Sequence, residues 1–275
     1  MMYEQGLLKV ALEAAKKAGQ QVMEHYHSGD YTAEVKDDDS PVTSADIAAN
    51  DIIMAHLAEL TPDIPVISEE VGATDLAVRK KWPRYWLLDP IDGTGEFILK
   101  SGDFAINIAL VENGWPAIGV IHAPYHNVTY YAQTDLGAFK ETVNGIEQIF
   151  VSAFDGIRPV KVAVSRRQKL QLMGQYLDNN FEYEYVALGS CSLKNCIIAE
   201  GLADCYLRIG PTGEWDTGAS HCILEQAGGS IIDSEFNPLT YNSRETLMNP
   251  DFMSLGSQDF PWQKIIKPHR ATRTL

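Results

Sequence analysis

The 275-residue sequence has few cysteines, and none of them stands in a paired C-x-x-C spacing. Zinc sites use closely spaced ligands, and disulfides belong mainly to secreted chains. The first ten residues include Glu4 and lack the long apolar segment of a signal peptide. The sequence therefore predicts four reduced thiols in the core: Cys191, Cys196, Cys205 and Cys222.

A long apolar run and an excess of positive charge are also missing. No stretch of about 18 apolar residues occurs, which excludes a membrane-spanning helix. The 22 Lys and Arg against 37 Asp and Glu give a net charge of −15, which disfavours non-specific binding to nucleic acid or anionic membranes. We expect a cytoplasmic protein that binds a small molecule, with its oligomeric state and a peripheral attachment to the inner membrane left open.

The apolar content of 45% allows a large core and two sub-domains. The predicted halves are residues 1–153 and 154–268, followed by a frayed tail, 269–275. In the first half, periodicity predicts helices over 3–25 and from a Thr43 or Ser44 cap to about residue 60. Predicted strands cover 66–68, 85–88, 104–111, 115–122 and 128–132, with a further strand starting at 137.

The second half alternates strands and helices, which is typical of an α/β arrangement. Predicted strands cover 160–165, 183–188, 203–207 and 229–232. Predicted helices cover 168–179, 192–200 and 216–227.

The most informative segment is Asp89-Pro90-Ile91-Asp92-Gly93-Thr94, which follows an apolar strand. It places two carboxylates and a hydroxyl on one bend at a strand end, where α/β proteins tend to carry their chemistry. Carboxylates so close repel each other unless a cation or a proton neutralises them. Mg²⁺ prefers oxygen ligands of this kind. An ordinary acidic turn is the alternative for this segment alone.

Three other segments accompany this bend in order: 41–46, ending in Asp46; Glu69-Glu70 after Ser68; and 215–219, which contains Asp216. This ordered set resembles the inositol-monophosphatase-like superfamily of Mg²⁺-dependent, lithium-sensitive phosphatases, and the resemblance extends over about residues 11–250. The segments 41–46, 92–98, 193–197, 206–208 and 210–212 resemble its bacterial CysQ-type branch of 3'(2'),5'-bisphosphate nucleotidases rather than the inositol branch.

The resemblance implies an αβαβα layered sandwich of the sugar-phosphatase type. It also implies hydrolysis of 3'-phosphoadenosine 5'-phosphate to AMP and phosphate, as in sulfate assimilation. Asp46 and Thr94 would orient and deprotonate the attacking water. Two to three Mg²⁺ ions would be held by Glu69, Asp89, the Ile91 carbonyl, Asp92 and Asp216. Two such ions can clamp the attacking and leaving oxygens of a phosphate ester.

By the same resemblance, the substrate is held by Gly93, Thr94, Gly189, Ser190, Lys194, Arg208 and Asp216, with Ser192 as the rival of Ser190. Residues 93–95 are predicted to open a helix whose free N–H groups bind a phosphate oxygen. Two positions depart from the branch: Gly95 stands where lysine is usual, and Gln168 where histidine is usual.

Each residue also has a plainer interpretation. Glu69 and Glu70 could be surface acids, Lys194 and Arg208 solvated charges, and Asp216 a helix cap. The alternative functions are an inositol monophosphatase or broad sugar phosphatase, and a non-catalytic Mg²⁺- or nucleotide-binding regulator. Asp46 and Thr94 argue against the regulator, because only chemistry requires them.

Overall fold

The computed structural model describes residues 2–36, 40–72, 74–166 and 170–268. In the first half the helices are α1 (Met2–Ser28), α2 (Ser44–Leu60), α3 (Leu76–Arg79) and α4 (Thr94–Ile98). The strands are β1 (Ala33–Val35), β2 (Pro41–Thr43), β3 (Val66–Ser68), β4 (Arg84–Asp92), β5 (Ala105–Glu112), β6 (Trp115–Ala123), β7 (Val128–Gln133), β8 (Gly137–Thr142) and β9 (Gly145–Gln148).

Strands β3 to β9 form one seven-stranded sheet in chain order, while β1 and β2 pair separately. Only the β3–β4 pair in this sheet is parallel. Strand β5 returns antiparallel to β4 after α4, and short turns join the strands from β5 to β9. Helices α1 and α2 pack together over one face of the sheet. The contact face of α1 is rich in small residues, which allows close approach: Ala11, Ala14, Ala15, Ala18 and Val22 are all fully buried.

In the second half the helices are α5 (Leu170–Met173), α6 (Cys191–Ala199) and α7 (Gly218–Gln226). The strands are β10 (Val160–Ser165), β11 (Tyr183–Leu188), β12 (Cys205–Arg208), β13 (Ser230–Asp233) and β14 (Phe252–Leu255). Single 3₁₀ turns cover Glu214–Asp216 and Trp262–Lys264. The five strands form a sheet in the order β11-β10-β12-β14-β13, parallel among β10, β11 and β12.

Helices α6 and α7 lie between the two sheets, and three apolar clusters separate the layers. The first cluster joins α1 and α2 to the outer face of the large sheet. The second combines the inner faces of both sheets with α6 and α7. The third covers the outer face of the small sheet with residues of α5 and the chain end. The predicted αβαβα sandwich is therefore confirmed.

Most predicted elements are present within one to three residues of their expected ends. The helix predicted over 168–179 is wrong in length, because α5 ends at Met173 and is the only helix among the described residues of that range. The predicted starting residue, Gln168, lies outside the described residues. The helix predicted from Asp216 begins at Gly218, after the 3₁₀ turn. Strands β1, β2, β9 and β14 were not predicted, since three- and four-residue strands give little periodicity.

The two sheets draw on residues 66–148 and 160–255, and the division at 153/154 stays a prediction. The predicted tail, 269–275, lies outside the described residues. Across the described ranges, none of the helices combines the length and apolar character needed to cross a membrane.

Candidate active site

The acidic bend lies at the end of β4 and is shaped by a β-bulge. Asp89 pairs with Asn107 and Asp92 with Ala105, so one extra residue is accommodated between the two acids. Proline rarely occurs inside a sheet because it lacks an N–H, yet β4 continues through Pro90 to Asp92. The bulge and the end of β3 at Ser68 explain this, because no neighbouring strand needs an N–H from Pro90.

Three carboxylates converge at this bend. Oxygens of Asp89, Asp92 and Asp216 lie within 4.8 Å of one another. Asp216 reaches them from the 3₁₀ turn, where its Oδ2 accepts a hydrogen bond of 2.5 Å from the backbone N–H of Gly213. Asp216 is therefore not the cap of α7, as one plain interpretation had it, because Thr217 occupies that position. Residues more than 120 positions apart thus form one acid cluster.

The electrostatics of the cluster favour a bound cation. Burial, reinforced by the neighbouring carboxylates, raises the pKa of Asp89 and that of Asp216 well above the usual range. Oδ2 of Asp89 is buried without a hydrogen-bond partner in the described part of the protein. A buried carboxylate oxygen is rarely left alone, so the cluster has the donor set and the unmet charge of a metal site.

Glu69 lies at the end of β3, on the strand next to β4. Its Oε1 is 2.8 Å from the ammonium of Lys36, which also contacts Glu70 at 2.8 Å. Burial, together with the nearby charges of Glu70 and Asp92, raises the pKa of Glu69 despite this ion pair. Burial alone would lower the pKa of Lys36, but its contacts with both glutamates raise it.

Asp46 and Thr94 meet, although they come from different helices. Thr94 Oγ1 donates to Asp46 Oδ1 at 2.8 Å and also contacts the Ile91 carbonyl at 3.1 Å. Asp46 is additionally the third residue of a capping box: its Oδ2 accepts from the N–H and the hydroxyl of Thr43. Burial raises the pKa of Asp46, although these hydrogen bonds oppose the shift. A raised pKa suits a group that must accept a proton.

The carboxylate of Asp92 accepts hydrogen bonds from the residues that begin α6. Its Oδ2 accepts hydrogen bonds of 2.6 Å from the hydroxyls of Ser190 and Ser192 and of 2.7 Å from the Ser192 N–H. Its Oδ1 accepts from the N–H of Cys191 at 3.1 Å. The two serines, rivals for a substrate contact in the sequence, both bind this carboxylate.

The two expected substrate cations are held by backbone carbonyls. The ammonium of Lys194 is buried against the carbonyls of Leu188, Gly189 and Ser190. Arg208 donates from Nη2 to the Pro211 carbonyl at 2.8 Å, and its buried Nε has no partner among the described residues. Their role toward a substrate stays a prediction.

The structure thus brings Asp89, Asp92 and Asp216 together and places the Thr94–Asp46 pair against the same bend. Gly93 is the left-handed residue that precedes α4 (φ 99°). The sequence analysis did not single out Lys36, whose partners Glu69 and Glu70 lie 33 and 34 positions along the chain. The cation of Lys36 next to the acidic run 37–39 was the only available signal. All four cysteines are free and buried, which confirms that prediction.

Comparisons with known proteins extend these observations to the whole chain. The model of the inositol monophosphatase family matches residues 4–263. A curated Haemophilus influenzae protein named 3'(2'),5'-bisphosphate nucleotidase CysQ is 40% identical over 261 residues, which cover 95% of this chain and 97% of the relative. The protein of the same name from Escherichia coli (strain K12) is 43% identical over 248 residues, covering 90% and 98%.

A solved structure agrees. The crystal structure of CysQ from Bacteroides thetaiotaomicron, described as a bacterial member of the inositol monophosphatase family, superposes with a TM-score of 0.79 at 34% identity. The match covers 94% of this chain and 100% of that one. The chain therefore belongs to the inositol monophosphatase family.

Proposed function

We propose that this protein is a Mg²⁺-dependent 3'(2'),5'-bisphosphate nucleotidase that hydrolyses 3'-phosphoadenosine 5'-phosphate to AMP and phosphate. The observation that carries the phosphatase part is the convergence of Asp89, Asp92 and Asp216, with the Thr94 hydroxyl on Asp46 close by. The nucleotide part is supported by the names of relatives that are about 40% identical over nearly the whole chain.

The proposed metal ligands are Glu69, Asp89, the Ile91 carbonyl, Asp92 and Asp216. Their oxygens fit a hard divalent cation, and the unpartnered Oδ2 of Asp89 supports this assignment. Bound Mg²⁺, in two to three ions per site, would neutralise charge on the phosphate oxygens and lower the pKa of water.

In the proposed mechanism, Thr94 and Asp46 act on the attacking water. Its proton passes to the Thr94–Asp46 pair as its oxygen bonds to phosphorus. The ester P–O bond then breaks and the sugar oxygen takes a proton from solvent. The raised pKa of Asp46 favours its service as the final proton acceptor. The hydrogen bonds from Thr43 keep its carboxylate aimed at Thr94.

Arg208 is the proposed contact for the phosphate that is not cleaved. Its guanidinium is partly exposed and lies close enough to Asp216 for each charge to influence the other's pKa. A guanidinium binds phosphate through paired N–H donors.

The test is a panel of phosphate esters assayed as kcat/KM with saturating Mg²⁺. We expect 3'-phosphoadenosine 5'-phosphate to exceed inositol 1-phosphate by about tenfold or more, equivalent to about 1.4 kcal/mol in transition-state binding. A reversed preference of that size would establish the inositol phosphatase alternative instead. Activity that persists in EDTA would contradict metal dependence.

A variant separates substrate recognition from chemistry. Arg208→Gln should raise KM for 3'-phosphoadenosine 5'-phosphate while changing KM for 3'-AMP little, since 3'-AMP lacks the second phosphate. Arg158→Gln is the matched control, because Arg158 is bound to Asp204 at the other end of the small sheet. Equal effects of Arg208→Gln on both substrates would argue against the assignment.

A further inference from the structure

Asp103 is a buried carboxylate between the two halves of the molecule, outside the acid cluster. It lies between α4 and β5, and only 4% of its side chain is exposed. Its Oδ2 accepts a hydrogen bond of 2.8 Å from the N–H of Gly189 and lies 2.5 Å from Nη2 of Arg166. Both of these partners belong to the second half, while Oδ1 of Asp103 lies 3.9 Å from Nε2 of His126 in the first half, so one carboxylate links the two halves.

The partners of Asp103 follow directly on two neighbouring parallel strands. Strand β10 ends at Ser165, just before Arg166, and β11 ends at Leu188, just before Gly189. Ser165 and Leu188 are register partners. Asp103 therefore fastens the carboxyl ends of both strands, the edge at which parallel sheets tend to carry their sites.

The contact at Gly189 is too close for any side chain. A Cβ at Gly189 would lie 2.6 Å from the Asp103 Cβ and 2.7 Å from the Glu96 Cγ. The turn can approach Asp103 only because residue 189 is glycine. Close packing against Asp103 and Glu96 therefore fixes the position of the turn at Gly189.

The next residue, Ser190, has a strained backbone. Its φ of 49° lies in the left-handed region, which costs a non-glycine residue about 1–3 kcal/mol and is maintained only where the surroundings enforce it. The surroundings here are identifiable. Asp103 holds the N–H of Gly189 on one side, and Lys194 holds the Ser190 carbonyl on the other.

This turn delivers the hydrogen-bond donors that hold Asp92. The Ser190 hydroxyl, the Cys191 N–H and the Ser192 hydroxyl and N–H all follow Gly189 directly. We propose that Asp103 is a positioning residue: by fixing the Gly189 turn it sets the orientation of the Asp92 carboxylate, and so the strength with which the site binds Mg²⁺. The inference rests on the proposed function only in taking Asp92 as a metal ligand.

The protein contains a matched control for this arrangement. Asp204 is equally buried, accepts a hydrogen bond of 2.8 Å from the N–H of Lys161, and lies 2.6 Å from an Arg158 nitrogen. It thus has the same partner types as Asp103. Its contacts lie at the amino ends of β10 and β12, the opposite edge of the small sheet.

The experiment measures Mg²⁺ and Mn²⁺ affinity by isothermal titration calorimetry, with the thermal midpoint recorded in EDTA. Asp103→Ala should weaken metal binding about tenfold, as removal of partners that orient a ligand commonly does. Asp103→Asn should stay within about threefold of wild type, because its amide oxygen can still accept from Gly189. Asp204→Ala should lower the thermal midpoint but leave metal affinity within about twofold, because its hydrogen bonds serve stability alone.

Kinetics give a second readout. With Asp103→Ala, the Mg²⁺ concentration that gives half-maximal turnover should rise about tenfold, measured at a temperature where the variant is folded in EDTA, whereas Asp204→Ala should keep the wild-type value. If Asp103→Ala does not fold, Gly189→Ala takes its place, because its Cβ would push the same turn away from Asp103.

The proposal is overturned if Asp103→Ala binds metal like wild type, or if Asp204→Ala weakens metal binding equally. It is also overturned if Asp103→Asn is as weak as Asp103→Ala, since the hydrogen bond to Gly189 would then be irrelevant. The calorimetry uses the metal ion alone, so a failed nucleotide preference would leave this test intact.

Discussion

Asp216→Asn should make the metal-free protein more stable, although it removes a proposed metal ligand. Oxygens of the three acids lie within 4.8 Å of one another, and two full charges at that limit repel by about 3.5 kcal/mol at an effective dielectric constant of about 20. Proton uptake by Asp89 and Asp216, whose pKa values are raised, already relieves part of that repulsion. We therefore expect a gain of about 1–3 kcal/mol, with a thermal midpoint about 2–4 °C higher per kcal/mol. Asparagine can still accept the hydrogen bond from Gly213.

The same substitution should greatly reduce the stabilisation of the protein by Mg²⁺. Wild-type protein gains about 2.7 kcal/mol when Mg²⁺ is present at about 100 times its dissociation constant. The variant should gain much less, since the charge that attracts the ion is reduced. Calorimetric melting curves at neutral pH should thus show the variant as the more stable protein in EDTA, and a much larger rise of the melting temperature with Mg²⁺ for wild type.

Asp204→Asn is the control for this prediction. It breaks an ion pair outside the cluster, so it should lower stability in both buffers and leave the Mg²⁺ shift unchanged. The reasoning is refuted if Asp216→Asn lowers the melting temperature in EDTA while the shift produced by Mg²⁺ stays at its wild-type size.

Three further predictions follow from the same geometry. Asp46→Asn should lower kcat by about 10²–10⁴-fold while metal affinity measured by calorimetry stays near wild type, because the variant loses only the proton acceptor; unchanged turnover would disprove that role. Without metal, stability should fall as pH rises from about 4 through the raised folded-state pKa values of Asp89, Asp216 and Glu69, because the folded state binds more protons than the unfolded state in that window. Melting temperatures against pH in EDTA check this, and an increase over the window would contradict it. Gly95→Ala should stabilise the protein by about 0.5–1 kcal/mol, since Gly95 lies in α4 with nothing within 4 Å of its Cβ position; a loss in urea denaturation would count against this.

Local signals explain what the sequence could predict. Thr43 was one of two expected caps because a hydroxyl there can satisfy free N–H groups of α2, and the structure adds the capping box with Asp46. The bend from Asp89 to Thr94 follows an apolar strand and contains a proline and a glycine, each of which has its own conformational preference. Such features depend on neighbours in the chain, so sequence reasoning found them.

Contacts between distant segments explain the rest. Nothing near Asp103 in the sequence indicates that its carboxylate meets Gly189, 86 positions away. The use of both Ser190 and Ser192 to hold Asp92 likewise depends on how the second half docks on the first. Strand β14 joins its sheet by pairing with β12 and β13, and its four residues are too few to show a strand pattern in the sequence. That the acidic segments converge on one metal site was predictable only through the resemblance to a family.

The central claim is that carboxylates from distant segments form one metal site. Anomalous diffraction from crystals soaked in Mn²⁺ tests it most directly. The account predicts strong peaks bounded by Asp89, Asp92 and Asp216, with Glu69 turned from Lys36 toward the metal. A map without peaks at that position, collected from crystals of active enzyme, would contradict the account.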